Sequence, residues 1–171
     1  MNTPTNLSTC DLCDAHKALP ATHADSALRV LAPVFRDFGG RPAFAGPVST
    51  VKCFEDNTQV KAALDEPGLG RVLVVAGAGS LQRALVGGLI GAAAARNGWA
   101  GVVVDGCVRD RAELAECAVG IRALALMPMP TERSGQGLRD VPVQVQGVWV
   151  RPGDHLVADA DGMVVVPAPP A

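Results

Sequence analysis

Two short stretches of the 171-residue chain carry residue types whose spacing suits chemistry on a small anion. The first is Gly87-Gly88-Leu89-Ile90, a glycine pair at the start of a small-residue run. Backbone N–H groups at such a helix start can face an anion, helped by the positive end of the helix dipole. The second is Arg109-Asp110, which follows the apolar run Val102-Val103-Val104 and then Asp105-Gly106-Cys107. Arginine offers a planar fork for a carboxylate, and the neighbouring aspartate offers a hard oxygen for Mg²⁺ or Mn²⁺. Each stretch has a plainer alternative: a glycine pair also permits close helix packing, and an Arg-Asp dipeptide is commonly a surface turn. Arg109-Asp110 follows a buried strand, which favours a site there because α/β scaffolds present ligand groups at strand ends, and the two stretches could meet around one small anion.

Other candidates carry less. Gly77-Ala-Gly-Ser80 after an apolar run invites a dinucleotide fingerprint, but Gln82 stands where the third glycine belongs. The acidic residue expected about 20 positions on is also missing. A strand-to-helix turn is the simpler reading. Cys10 and Cys13 have redox or zinc spacing, yet no second pair of soft ligands accompanies them. Two thiols packed on a helix account for them, as free cysteine is usually buried. His155 suits a structural role, His16 and His23 have less support, and Asp159-Ala-Asp161-Gly162 is too short for an EF-hand loop and is most simply a turn.

The elements that must position these residues follow from pattern. Ser8 or Thr9 caps a first helix to about Lys17. Residues 19–25 form a loop, and the 27–35 stretch is short helix or strand. Ala43 to Phe54 is a strand interrupted near Pro47, and Asn57 to Leu64 is a short helix. Arg71 to Val75 is a strand buried on both faces; 76–80 is a loop and a helix begins at Leu81. A helix of small residues ends at Gly98, a second buried strand spans Gly101 to Asp105, and a glycine turn carries Arg109-Asp110 into a helix through Cys117. Ile121 to Met127 is a third strand and 128–139 a loop. Four short runs (141–145, 148–150, 155–158 and 163–166) make a largely antiparallel C-terminal third. Residues 1–6 and 167–171 are expected to be frayed tails around one domain spanning 1–171.

Composition narrows the class. Half the chain is hydrophobic (49%), rich in alanine and valine, with 19 glycines and no tyrosine, which favours close backbone packing. A net charge of −2 gives no basic face for direct nucleic-acid binding. No apolar run reaches the roughly 18–20 residues of a membrane span. Five cysteines, an odd count without a secretion signal, argue against a disulfide framework and for a cytoplasmic protein.

Asn97-Gly-Trp-Ala-Gly-Val-Val-Val-Asp-Gly-Cys-Val-Arg-Asp110 resembles the signature of the family that contains the regulator of ribonuclease activity A and the class II 4-hydroxy-4-methyl-2-oxoglutarate aldolases. Asp11-Leu-Cys-Asp14, Phe38-Gly-Gly-Arg41, Val51-Lys-Cys-Phe-Glu-Asp-Asn57, Gly70-Arg-Val-Leu-Val-Val75 and Pro152-Gly-Asp-His-Leu-Val-Ala-Asp159 resemble further blocks of that family, in order. The resemblance implies an α/β fold of the swivelling β/β/α type, with mixed sheets and flanking helices. It also implies a homotrimer, or a pair of trimers, with clefts between subunits. In the catalytic branch the segment matching Gly87, Gly88, Leu89 and Ile90 binds substrate, the arginine matching Arg109 contacts it, and the aspartate matching Asp110 serves a divalent metal, Mg²⁺ or Mn²⁺.

The implied activity is cleavage of a small 2-keto acid to pyruvate, with oxaloacetate decarboxylation as a side activity. The regulator branch, which binds ribonuclease E without catalysis, has glutamine where this chain has Asp110. The catalytic branch often has acidic residues where Gly88 and Ala76 stand here, which leaves the natural substrate open. No side chain in the sequence is assigned as the base that takes the substrate's hydroxyl proton.

Overall fold

A computed structural model describes residues 8–17 and 28–168. The expected loop over 19–25, and most of both expected tails, lie outside these residues. The described chain contains α1 (Thr9–His16), β1 (Arg29–Val30), β2 (Arg36–Asp37), β3 (Phe44–Lys52), α2 (Thr58–Leu64), β4 (Val72–Val86), α3 (Gly88–Arg96) and β5 (Gly101–Val108). It continues with α4 (Arg111–Glu116), β6 (Gly120–Leu126), β7 (Leu138–Arg139), β8 (Val143–Val145), β9 (Val148–Val150), β10 (His155–Ala158) and β11 (Met163–Val166).

The main sheet runs β1-β11-β10-β3-β4-β5-β6-β2, with β7 also on β3, while β8 and β9 form a separate hairpin. Strands β3, β4, β5 and β6 are mutually parallel. The pairs on either side are antiparallel. This is the mixed α/β architecture with flanking helices that the sequence suggested.

The parallel centre is buried on both faces, as its unbroken valine runs require. Side chains alternate along a strand, so Val102 and Val104 join Leu73, Val75, Leu64 and Ile90 in a core beneath the helices. Val103 points the other way, with Val72, Val74, Leu156 and Val165, into a second core under the C-terminal strands. Each fully buried valine is worth roughly 1.5–3 kcal/mol relative to exposure.

The interruption expected near Pro47 is a change of partner. Residues Phe44 to Pro47 pair antiparallel with β10, and Val48 to Lys52 pair parallel with β4. Proline has no N–H to donate, so it suits the hand-over between the two ladders.

Several expectations are overturned. Residues 76–80 are not a loop and Leu81 to Val86 is not a helix, for β4 continues through both to Val86. Ala78 and Gly79 have positive φ (57° and 66°), and the register slips between Val75↔Val104 and Ser80↔Gly106 before β4 rejoins β5 at Val86↔Val108. Ala84, Leu85 and Val86 are all buried, so the run has no alternation to mark it as strand. For the same reason β5 does not turn at Gly106 but runs on, wholly buried, to Val108.

Helix α1 begins as its sequence suggests, with a capping box between Ser8 and Asp11. Asp159 accepts hydrogen bonds from the Thr9 N–H (2.8 Å) and hydroxyl (2.7 Å), which pins the helix to the C-terminal strands. Cys13 is partly buried on α1, whereas Cys10 is exposed, so the expected packing of both thiols is not met. Among the described residues no helix is long and apolar enough to cross a membrane.

Candidate active site

Strands β4 and β5 end side by side, and this brings the two stretches singled out in the sequence together. Val86 accepts a hydrogen bond from the Arg109 N–H at 2.9 Å, so the residues that follow each strand leave the sheet as neighbours. After β4 the chain turns at Gly87 into α3; after β5 it passes through Arg109 and Asp110 into α4.

Asp110 adopts a left-handed backbone (φ 60°, ψ 50°). Aspartate visits that region more readily than most residues, and such conformations concentrate where the surrounding structure holds a functional group in place. Its Oδ2 accepts the Gly88 N–H at 2.9 Å and lies 3.7 Å from the Arg109 Nε. Oδ1 has no partner among the described residues. Both side chains are 40% exposed. A Cβ at Gly87 would come within 2.7 Å of Asp110 Oδ2 and 3.3 Å of Arg109 Nε, so glycine lets the pair lie against the backbone.

A cleft of about 110 Å³ opens here. One wall is the 87–90 segment with Arg109 and Asp110; the other is Asn57, Thr131 and Arg133. All six expected residues therefore converge on one cavity. Leu89 projects outward (87% exposed) and Ile90 inward to the core (7%), so this segment offers the cavity mainly its backbone. The Leu89 and Ile90 N–H groups, in the first turn of α3, have no acceptor among the described residues.

Sequence reasoning missed the far wall. Asn57 donates to the Leu85 carbonyl (3.1 Å) and accepts from Arg133 Nε (3.3 Å), leaving the two Nη groups of Arg133 unpaired among the described residues. The Thr131 hydroxyl is buried without a partner among the described residues. Asp56 holds this wall in place. Its carboxylate accepts from the Thr58 N–H and hydroxyl and from the N–H groups of Ser134 and Gln136, at 2.6–3.0 Å. Burial alone would raise its pKa; these hydrogen bonds outweigh burial and lower it to about 2. The only local signal for Arg133 was a cation in a long glycine- and proline-marked loop after a parallel strand.

The remaining candidates lie elsewhere. His155 is part-buried on β10 opposite Pro47, and burial lowers its pKa. Ser80 donates to Glu55 (2.6 Å) from the β4 bulge. Ala76 is buried within the sheet opposite Lys52, outside the cleft. Among the described residues there is no group of three or more His, Cys, Asp or Glu side chains able to hold a metal. That excludes a closed zinc-type set among them but fits a hard, largely hydrated cation, which takes one or two carboxylates and completes its shell with water and substrate oxygens. The unpaired Oδ1 of Asp110 is the donor of that kind on the cleft wall.

The chain as a whole is similar to several known proteins. Residues 9–165 match the family model described as "RraA-like: Aldolase/RraA". A protein of Albidiferax ferrireducens named "Putative 4-hydroxy-4-methyl-2-oxoglutarate aldolase" is 63% identical over 168 residues, covering 94% of this chain and 95% of the relative. The solved structure of the RNA-processing inhibitor RraA from Thermus thermophilis superimposes with a TM-score of 0.88 at 45% identity, covering 98% of this chain and 96% of the other. A structure from Geobacillus kaustophilus, described as S-adenosylmethionine: 2-dimethylmenaquinone methyltransferase, gives 0.86 at 39% identity, covering 95% of this chain and 96% of that one.

Proposed function

The chain belongs to the RraA-like Aldolase/RraA family, and on that premise we propose that it is a divalent-metal-dependent lyase. It cleaves 4-hydroxy-4-methyl-2-oxoglutarate and similar 4-hydroxy-2-keto acids to pyruvate. The observation that carries this reading is the delivery of Arg109 and Asp110 to one cleft, with Asp110 left-handed, capped by Gly88 and keeping one carboxylate oxygen unpaired.

In the cleavage the C3–C4 bond breaks and its electrons pass to C3, giving an enolate, while the C4 hydroxyl loses its proton and becomes a carbonyl. A divalent cation held through Asp110, Mg²⁺ or Mn²⁺, would supply Lewis acidity toward the keto and carboxylate oxygens. Arg109 binds the carboxylate beside the keto group and offers positive charge to the developing enolate oxygen, where a preorganised donor is worth most. The unpaired N–H groups of Leu89 and Ile90 orient substrate oxygens. Arg133, with both Nη groups unpaired across the cleft, takes the second carboxylate of a dicarboxylic substrate. Among the described residues no histidine lines the cleft, and the hydroxyl proton passes to water or to a group from a neighbouring subunit. Loss of CO₂ from oxaloacetate leaves the same enolate and is the expected side activity. Assembly as a homotrimer, or as two trimers, is supported by large exposed apolar side chains such as Phe54 (64%) and Leu89 (87%).

The test is pyruvate release, coupled to lactate dehydrogenase, from both substrates with Mg²⁺ and then EDTA, for wild type and Asp110→Ala. Turnover abolished by both treatments is expected. Chelator-resistant turnover would overturn the metal-dependent reading. The second reading, a non-catalytic regulator that binds ribonuclease E, is favoured by the likeness to the RNA-processing inhibitor. Absent turnover together with direct ribonuclease E binding by the folded protein would establish it instead.

A further inference from the structure

One buried hydroxyl differs from its counterparts elsewhere in the fold. Thr9, Thr50, Thr58 and Ser80 each donate their hydroxyl to an acceptor at 2.6–2.7 Å. The Thr131 hydroxyl is buried with no partner among the described residues, a state that costs free energy. Two other buried side-chain atoms among them are unpaired, the Nε atoms of Arg29 and Arg122. Both belong to guanidinium groups that donate elsewhere, Arg29 to the Trp149 carbonyl and Arg122 to those of Pro42 and Asp159. Neither arginine lines the cleft, whereas Thr131 does. A loose loop does not account for this. The Ala84 N–H donates to the Met129 carbonyl (2.8 Å) and Pro130 bridges to Ala84, which lays the segment against the end of β4. Beyond Thr131, the Ser134 N–H is held by Asp56 (2.8 Å).

The substrate of the proposed reaction offers the missing partner. Arg109 on one wall takes the carboxylate beside the keto group, and Arg133 on the other takes the distal carboxylate. C4 joins these two ends of the substrate and carries the hydroxyl that must lose its proton. Thr131 stands two residues before Arg133 on the distal wall. One staggered step about its Cα–Cβ bond exchanges the hydroxyl with the methyl or the hydrogen, which re-aims Oγ1 without moving the backbone. We infer that Thr131 donates a hydrogen bond to the C4 oxygen of a 4-hydroxy-2-keto acid and so determines which reaction the cleft favours. The bond strengthens as that oxygen gives up its proton and gains charge, just before the C3–C4 bond parts, where a fixed donor helps most. Thr131 keeps its own proton throughout. This rests on the proposed lyase reading. Oxaloacetate has no hydroxyl at C4 and leaves neutral CO₂, so Thr131 has no developing charge to stabilise there. The residue therefore biases the cleft toward aldol cleavage over decarboxylation.

The test compares initial rates on 4-hydroxy-4-methyl-2-oxoglutarate and on oxaloacetate, with Mg²⁺, for wild type, Thr131→Val and Thr131→Ser, alongside thermal melting. Thr131→Val keeps the branched shape and removes the hydroxyl. It is expected to lower the ratio of cleavage to decarboxylation roughly 10- to 100-fold, below the loss seen for a full oxyanion-hole donor. The fall should lie in kcat and not in KM, as for an interaction made in the transition state. Its melting temperature should equal or exceed that of wild type, because a methyl replaces a buried unpaired hydroxyl. Thr131→Ser keeps the donor and should retain most of the wild-type ratio. An unchanged ratio in Thr131→Val would overturn the inference and leave the lyase reading standing. Equal losses on both substrates, or a Thr131→Ser variant as impaired as Thr131→Val, would make Thr131 a packing residue of the wall and likewise overturn it. A folded wild type that turns over neither substrate would overturn the lyase reading and this inference with it.

Discussion

Among the described residues two Arg-Asp pairs stand at opposite extremes of burial and pairing, one joining distant parts of the chain and one joining neighbours. Arg29 and Asp154 lie 3.0 Å apart, with side chains only 5% and 6% exposed. They are further tied by Arg29 donating to the Trp149 carbonyl (2.7 Å) and the Arg151 N–H donating to Asp154 (2.8 Å). Arg109 and Asp110 are 3.7 Å apart and 40% exposed, and each keeps polar atoms uncommitted. The buried pair locks β1 and the C-terminal strands together. The cleft pair is loosely satisfied, held by backbone geometry at two strand ends, and so remains available to a ligand. Incomplete pairing on a rigid frame separates the two.

Breaking the pairs should produce opposite signatures. Asp154→Ala leaves Arg29 charged and buried, and removal of one partner of a buried pair costs about 3–5 kcal/mol. Chemical denaturation followed by circular dichroism should show that loss, with activity per folded molecule retained. Arg109→Lys should do the reverse. The fork and its fixed position are lost, and a drop in kcat of roughly 10²–10³-fold is expected, by analogy with removal of a charge-stabilising donor, with melting nearly unchanged. Near-normal turnover in Arg109→Lys would remove the proposed role of that residue.

The third arginine sharpens the comparison. Arg133→Met should lower kcat/KM for a dicarboxylic 4-hydroxy-2-keto acid about 10- to 100-fold, in the range of a lost charge-assisted hydrogen bond. A substrate with methyl in place of the distal carboxylate should be affected little. An equal loss on both substrates would mean that Arg133 supports the wall and does not bind the second carboxylate.

These distinctions also explain what the sequence made legible. Arg109-Asp110 stood out because it follows a buried strand and Gly87 to Ile90 because a glycine pair opens a small-residue helix; their meeting needed β4 and β5 to be parallel neighbours to their ends, as Val86↔Val108 makes them. Valine runs such as Val102 to Val104 and a hydroxyl cap at Ser8 or Thr9 are local signals and were readable as such. The second half of β4 was not, because Ala84 to Val86 is buried on both faces and carries no period. The far wall was hidden for a different reason. Arg133 reaches the cleft through Asn57 and through a loop anchored on Asp56, contacts between residues some 75–80 positions apart. No local pattern encodes such a tie.

That anchor supplies the smallest expected effect. Asp56 is held at about 2, below its ordinary 3.8, so folding favours its ionised form. Its contribution is fully present above the unfolded value near 3.8 and is lost as pH falls through about 2. In Asp56→Asn an amide N–H₂ can face the Ser134 and Gln136 N–H groups, so donors meet donors and the loop loosens at every pH. Melting temperatures of the two proteins should therefore differ at pH 6 and converge as pH falls from 4 towards 2, with the wild type showing the steeper slope. Because the same carboxylate positions Arg133, the variant at neutral pH should also lose part of its preference for the dicarboxylic substrate while Arg109 and Asp110 remain intact. Parallel melting curves across that pH range would show that Asp56 does not anchor the wall, and unchanged substrate preference would uncouple the anchor from Arg133.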